Sequence, residues 1–159
     1  MPIFEVKSPT LADMADADIA ELEELVRPCG LYRTKAASIK SACADVRDRF
    51  GGVVPDNMDD LLSLSGVGRK IANLLLGDIY GKGGIVADTH CIRICARLGF
   101  YPEKYKDPKK TEDIMSSLID VDEQSDFCHR IVMFGRDTCT ARAPKCEVCP
   151  IADICKHNK

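Results

Sequence analysis

A chain of 159 residues with 45% hydrophobic and 30% charged side chains has the make-up of one or two small globular domains. It contains no apolar run long enough to cross a bilayer, and its opening, MPIFEVKSPTLAD, lacks the basic start, apolar middle and cleavage site of a secretory signal. The net charge of −3 is uneven: residues 1–62 carry 12 acidic and 7 basic side chains, whereas 63–159 carry 13 and 15, so a polyanion would meet the second half more readily.

The periodicity is helical almost throughout. Thr10 with Asp13 makes a capping pair, and Ile19, Leu22, Leu25 and Val26 continue a helix that Pro28 and Gly30 close. A second helix runs through YRTKAASIKSACADVRDRF, with Ala36, Ile39, Ala42, Cys43 and Val46 on one side and Gly51 and Gly52 after it. Asp56 is the expected cap of a short helix over NMDDLLSLS. The turn GVG follows, then a helix over RKIANLLLGDIYG, then the loop GKGG at 81–84. DTHCIRICARLGF reads as a helix capped by Asp88 or Thr89 and ended by Gly99. YPEKYKDPKK is a basic linker, TEDIMSSLI and SDFCHRIVMFG are two further helices, and the tail from Arg136 is polar and cysteine-rich. No strand alternation, repeat or low-complexity segment appears, so the pattern predicts an all-α chain.

Nine cysteines without a secretion signal point to a reducing compartment, where thiols stay free or bind metal. Cys139, Cys146, Cys149 and Cys155 crowd into seventeen residues as C-x6-C-x2-C-x5-C. Loops that short bury no core of their own, so thiolate ligation must supply their stability. Tetrathiolate sites hold zinc or an iron–sulfur cluster. The single C-x2-C pair and unequal outer spacings favour a 4Fe-4S cubane, with zinc left open on spacing alone. Cys91 and Cys95 lie four apart on a helix but sit among Ile92, Ile94 and Leu98, which reads as packing; Cys29, Cys43 and Cys128 read the same way.

Gly66 and Gly68 flank Val67 between two short helices, where glycine permits positive φ and close approach of another backbone. The next helix presents unpaired N–H groups and its positive end, a seat for phosphate, and Arg69 adds a charge contact. This is a helix-hairpin-helix pattern that grips nucleic-acid backbone without reading sequence; an ordinary helix corner is the structural alternative. Lys70 stands in the first turn of that helix, where dipole and apolar neighbours Ile71, Leu74 and Leu75 both push an amine towards its neutral, nucleophilic form. Asp88, at a helix start, accepts backbone N–H bonds and stays ionised. Such a carboxylate can stabilise positive charge on a sugar ring or move protons, or serve as a plain cap. His90 and Arg93, one turn on, are read as orienting groups.

LSGVGRKIANLLLG, then VADTHCIRICARLG, then C-x6-C-x2-C-x5-C, in this order, resembles endonuclease III, a DNA glycosylase and AP lyase family of the helix-hairpin-helix superfamily. GLYRTKAASI and FGGVVPDNMDDLLSL resemble the segments that precede the hairpin there, so the likeness covers nearly the whole chain. The resemblance implies an all-α protein of two lobes flanking a cleft, with the hairpin in one and a 4Fe-4S cluster in the other. It implies Lys70 as the nucleophile on C1′ of a nucleotide flipped from duplex DNA, Asp88 as the catalytic aspartate, Gly66, Val67, Gly68 and Arg69 as DNA contacts, and the four tail cysteines as cluster ligands. A Schiff base and β-elimination would follow, on oxidised or saturated pyrimidines and abasic sites. Adenine glycosylases of the superfamily lack lysine at this hairpin position, so Lys70 favours the bifunctional branch.

Members of that family begin with leading helices for which no counterpart is found; MPIFEVKSP resembles the end of the third. An exposed apolar face is expected where such helices pack. The division expected is residues 1–82 for the hairpin lobe and 83–159 for the cluster lobe. A monomer acting on damaged double-stranded DNA, away from membranes, in a bacterial or archaeal cytoplasm or a eukaryotic nucleus or mitochondrion, is the leading expectation. A truncated, non-catalytic DNA-binding iron–sulfur module is the runner-up. A small electron carrier would explain the cluster but neither Lys70 nor Asp88.

Overall fold

A computed structural model describes residues 10–158. Among them every regular element is helical: eight α-helices and short 3-10 turns, with no strand. Contacts divide the chain into two compact units, Met1–Ala72 and Asn73–Lys159.

In the first unit the opening helical pattern forms two helices rather than one. α1 (Leu11–Asp16) starts with the expected capping box, Thr10 with Asp13. The chain then extends at Ala17 (ψ 149°), and Asp18 caps α2 (Ile19–Val26) by accepting the Ala20 N–H at 2.7 Å. A short carboxylate competes with the helix for backbone donors, which favours a cap over a mid-helix position. The Ala17 carbonyl freed by the break accepts from Lys40 Nζ at 2.5 Å, and Arg47 meets Asp16 at 2.8 Å. Both partners belong to α3 (Tyr32–Arg49), against which α1 and α2 pack. Leu22, Ala36 and Val46 are buried, whereas Cys29, expected to pack, is exposed in the 3-10 turn that ends α2. The cap of α4 (Met58–Leu62) is Asn57 rather than Asp56: its side chain accepts the Asp60 N–H at 3.0 Å. Leu61 and Leu64 anchor that stretch in the unit's core. α5 (Arg69–Asp78) straddles the division, its first turn in this unit and its remainder in the next.

The second unit is built on α6 (Thr89–Leu98), α7 (Pro108–Leu118) and α8 (Gln124–Asp137). Asp107 caps α7 and Pro108 takes its first position, so the basic linker is three residues shorter than the pattern implied. Ile85, Cys91, Ile94, Cys95, Met115 and Ile131 form the core. The irregular run 81–88 is secured by buried amides: Asn73 Nδ2 donates to Ile85 O (2.9 Å) and Gln124 Oε1 accepts the Gly84 N–H (2.8 Å). A groove in this unit is lined by Leu98, Ile119, Phe127, Ile131, Phe134 and Ile151, with Glu123, Asp126 and Arg130 also on its walls.

Candidate functional site

The glycine corner has a steric reason at one glycine and an open face at the other. Gly66 holds φ +77°, and a Cβ there would stand 2.8 Å from Ser38 Cβ of α3. Only glycine suits that combination of left-handed backbone and close contact. Gly68 has open space where a Cβ would project, and its carbonyl accepts from Ile71 N (2.9 Å) and Ala72 N (3.0 Å) to start α5. No acidic residue stands in the helix's first turn. A phosphate can therefore approach this turn without meeting a side chain at Gly68.

Lys70, the second residue of α5, is exposed. The apolar cover expected around it is thin, because Ile71 (43%) and Leu74 (38%) are themselves exposed. What the helix supplies at this position is its positive end.

Asp88 lies in the second unit and caps α6 as expected. Its Oδ1 accepts the N–H groups of His90 (2.9 Å) and Cys91 (2.8 Å). Two such bonds fix the carboxylate by the hydrogen-bonded run before it and the helix after it. His90 and Arg93 turn towards the body of the unit: Arg93 Nη2 lies 3.2 Å from His90 Nδ1 and donates to Cys139 O at 2.8 Å.

The four tail cysteines line one pocket together with Ile94, Arg97 and Phe134. Arg97, buried on α6, donates to Cys139 Sγ (3.3 Å), Thr140 O (2.8 Å) and Ala141 O (3.0 Å). A guanidinium at a sulfur, in a pocket walled by apolar side chains, suits thiolate ligands carrying excess negative charge. Among the described residues no three His, Cys, Asp or Glu side chains gather tightly enough to hold a single ion. Four sulfurs spread around one pocket fit a polynuclear cluster better than zinc. Arg93 and Arg97 thus tie the helix that begins at Asp88 to the loop that begins at Cys139.

The remaining buried thiols behave as packing groups. Cys91 and Cys95 approach to 4.0 Å between sulfurs, and that contact with burial pushes the Cys91 thiol far above its ordinary range. Burial raises Cys128 to about 11 against the opposing hydrogen bond from Val86 N–H. Such thiols stay protonated, which suits a core and not a metal.

Leu31 escaped the sequence pattern. It is 81% exposed and holds φ +49° at the start of α3. A left-handed leucine costs about 1–2 kcal/mol, and an apolar side chain in water recovers none of it. Beside it the Tyr32 ring meets the guanidinium groups of Arg27 (5.5 Å) and Arg33 (5.4 Å). The sequence shows only GLYR, which reads as a helix boundary; the outlier becomes visible only in the backbone.

Comparison with known proteins covers nearly all of the chain. Residues 2–120 match the HhH-GPD superfamily base excision DNA repair protein model, and residues 139–155 match the iron-sulfur binding domain of endonuclease III. Endonuclease III of Synechocystis sp. is 37% identical over 155 residues, which are 97% of this chain and 70% of that protein. Among solved structures, a non-covalent endonuclease III–DNA complex is similar at 36% identity and a TM-score of 0.89, covering 98% of this chain and 72% of that one. A trapped endonuclease III–DNA covalent intermediate, with adenine estranged, is similar at 37% identity and the same TM-score and coverage.

Proposed function

The chain belongs to the HhH-GPD superfamily of base excision DNA repair proteins as a DNA glycosylase of the endonuclease III kind with a 4Fe-4S cofactor, and from that premise we propose that it also cleaves abasic sites through a Schiff base on Lys70. The observation that carries the reading is Lys70 itself, exposed in an acid-free first helical turn directly after the Gly66–Gly68 corner. Similarity to a trapped endonuclease III–DNA covalent intermediate supports it.

Gly66, Val67, Gly68 and Arg69 hold the phosphate backbone of a duplex at the start of α5. Leu31, apolar, exposed and strained, serves as a wedge against the base stack, offsetting the loss of stacking when a nucleotide leaves the helix. The Lys70 amine attacks C1′ of a damaged pyrimidine nucleotide or an abasic site. In the nucleotide the bond from C1′ to the base breaks and the base takes up a proton; at the abasic site the C1′ oxygen leaves as water; either adduct becomes a Schiff base. Loss of a C2′ proton then expels the 3′ phosphate and nicks the strand. Asp88, held in place by its two N–H bonds, stabilises the positive charge that develops on the sugar and receives protons. Cys139, Cys146, Cys149 and Cys155 would hold the cluster; when bound, it supplies the cross-link that short loops need to keep one shape. The protein acts as a monomer in this reading.

The test is borohydride trapping on a duplex with one abasic site. Wild-type protein should give a covalent adduct, and Lys70→Ala should lose it together with about 1,000-fold or more of strand cleavage. Wild-type protein that binds the duplex without forming an adduct would establish the non-catalytic module instead.

A further inference from the structure

The segment between α6 and α7 carries a concentration of cations that the proposed reaction does not use. Four lysines fall at 104, 106, 109 and 110, with Glu103 and Asp107 as the acids among them. Both acids are engaged: Glu103 meets His157 Nδ1 at 2.9 Å, and Asp107 caps α7 on the Lys109 N–H at 2.9 Å. Lys109 pairs with Asp113. Lys104, Lys106 and Lys110 are exposed, and no ion pair among the described residues involves them.

Two of these lysines lie over one aromatic ring, and Lys106 follows that ring in the chain. Lys104 Nζ lies 5.8 Å and Lys110 Nζ 5.5 Å from the centre of the Tyr105 ring, itself 42% exposed. Tyr105 and Lys106 form one side of a groove whose other side is Thr89, Ile92 and Arg93, the opening turns of α6. The groove thus runs beside the helix that Asp88 caps.

We propose that Lys104 and Lys110, over the Tyr105 ring, and Lys106, beside it on the groove, form a second phosphate-contact patch that takes the backbone of the duplex on the second unit. The proposal rests on the glycosylase reading and extends it: Gly66–Arg69 is one phosphate seat, and this patch is another. Nucleic acid is the occupant because a row of unpaired cations beside an aromatic ring complements a chain of phosphates and sugars, and because the groove's opposite wall belongs to the helix of the proposed catalytic carboxylate. Contacts of this type add affinity without reading sequence.

Fluorescence anisotropy of the full chain on a duplex bearing a tetrahydrofuran abasic analogue, titrated across potassium chloride concentrations, tests it. Each lost phosphate contact lowers the slope of log Kd against log salt by about 0.9. Lys104→Ala/Lys106→Ala/Lys110→Ala should therefore reduce the slope by about 2 to 3 and weaken binding at least about tenfold near 0.1 M salt. A triple variant with the wild-type slope and affinity overturns the patch while leaving the glycosylase reading intact. Wild-type protein that fails to bind the duplex overturns both.

Discussion

The helices α5 and α6 begin in opposite ways. α6 is satisfied from within, because Asp88 accepts two of its first N–H groups and places a negative charge at its positive end. α5 starts behind Gly68 with Arg69 and Lys70 and no acid in its first turn. Each cation at such an end costs about 0.3–1 kcal/mol when exposed. One start stabilises the free protein; the other carries cations and no acid, as the proposed phosphate seat requires. In the proposed reaction the difference separates a carboxylate with two duties from an amine with one.

Asp88→Asn separates those duties. Asparagine caps a helix about as well as aspartate, so the unfolding free energy should stay within about 0.5 kcal/mol of wild type. Without the charge, strand cleavage at an abasic site should fall about 100- to 1,000-fold in single-turnover kinetics, the range seen when one electrostatic partner of a transition state is removed. Asp88→Ala should show the same kinetic loss and a further stability loss of about 1 kcal/mol. Wild-type cleavage by Asp88→Asn would reduce Asp88 to a cap and erase the contrast with Lys70.

Gly66→Ala probes the other start. The alanine must hold φ +77° and push against Ser38, so denaturant unfolding should show a loss of about 1–3 kcal/mol. Affinity for the abasic-analogue duplex should fall as the corner shifts. Unchanged stability would mean that the corner adapts freely and that its glycine has no steric reason. The same substitution at Gly68, which has open space around it, should leave unfolding within about 1 kcal/mol of wild type.

Much of this was legible from local chemistry. Thr10 with Asp13, Asp88 before an amphipathic run, and Gly99 after it each signal a helix end through a group that the end requires, and the structure has all three. The tail cysteines were legible because metal-type spacing is itself local, and they do line one pocket. The misses arise where two local solutions compete. Asp18 splits the first helix because the break's free carbonyl finds Lys40, 23 residues away. Asn57 outcompetes Asp56 as a cap by a single residue of register. The thin cover over Lys70 depends on which way Ile71 and Leu74 turn, and Leu31 on a backbone angle that no side-chain pattern encodes. Arg97 at the Cys139 sulfur joins residues 42 apart, beyond any periodicity.

The smallest effect bears most directly on why Lys70 stands where it does. Lys70→Gln keeps the length and helix propensity of the side chain and removes its charge from the positive end of α5. The free protein should become more stable by about 0.3–1 kcal/mol at low ionic strength. The gain should shrink towards zero near 1 M salt, where the screening length falls to about 3 Å. The same protein should form no borohydride adduct. A substitution that stabilises the fold and abolishes the chemistry identifies a residue kept against the fold's own preference. Destabilisation by Lys70→Gln would mean that the lysine makes a favourable contact in the free protein, and the two helix starts would then differ in sign of charge but not in purpose.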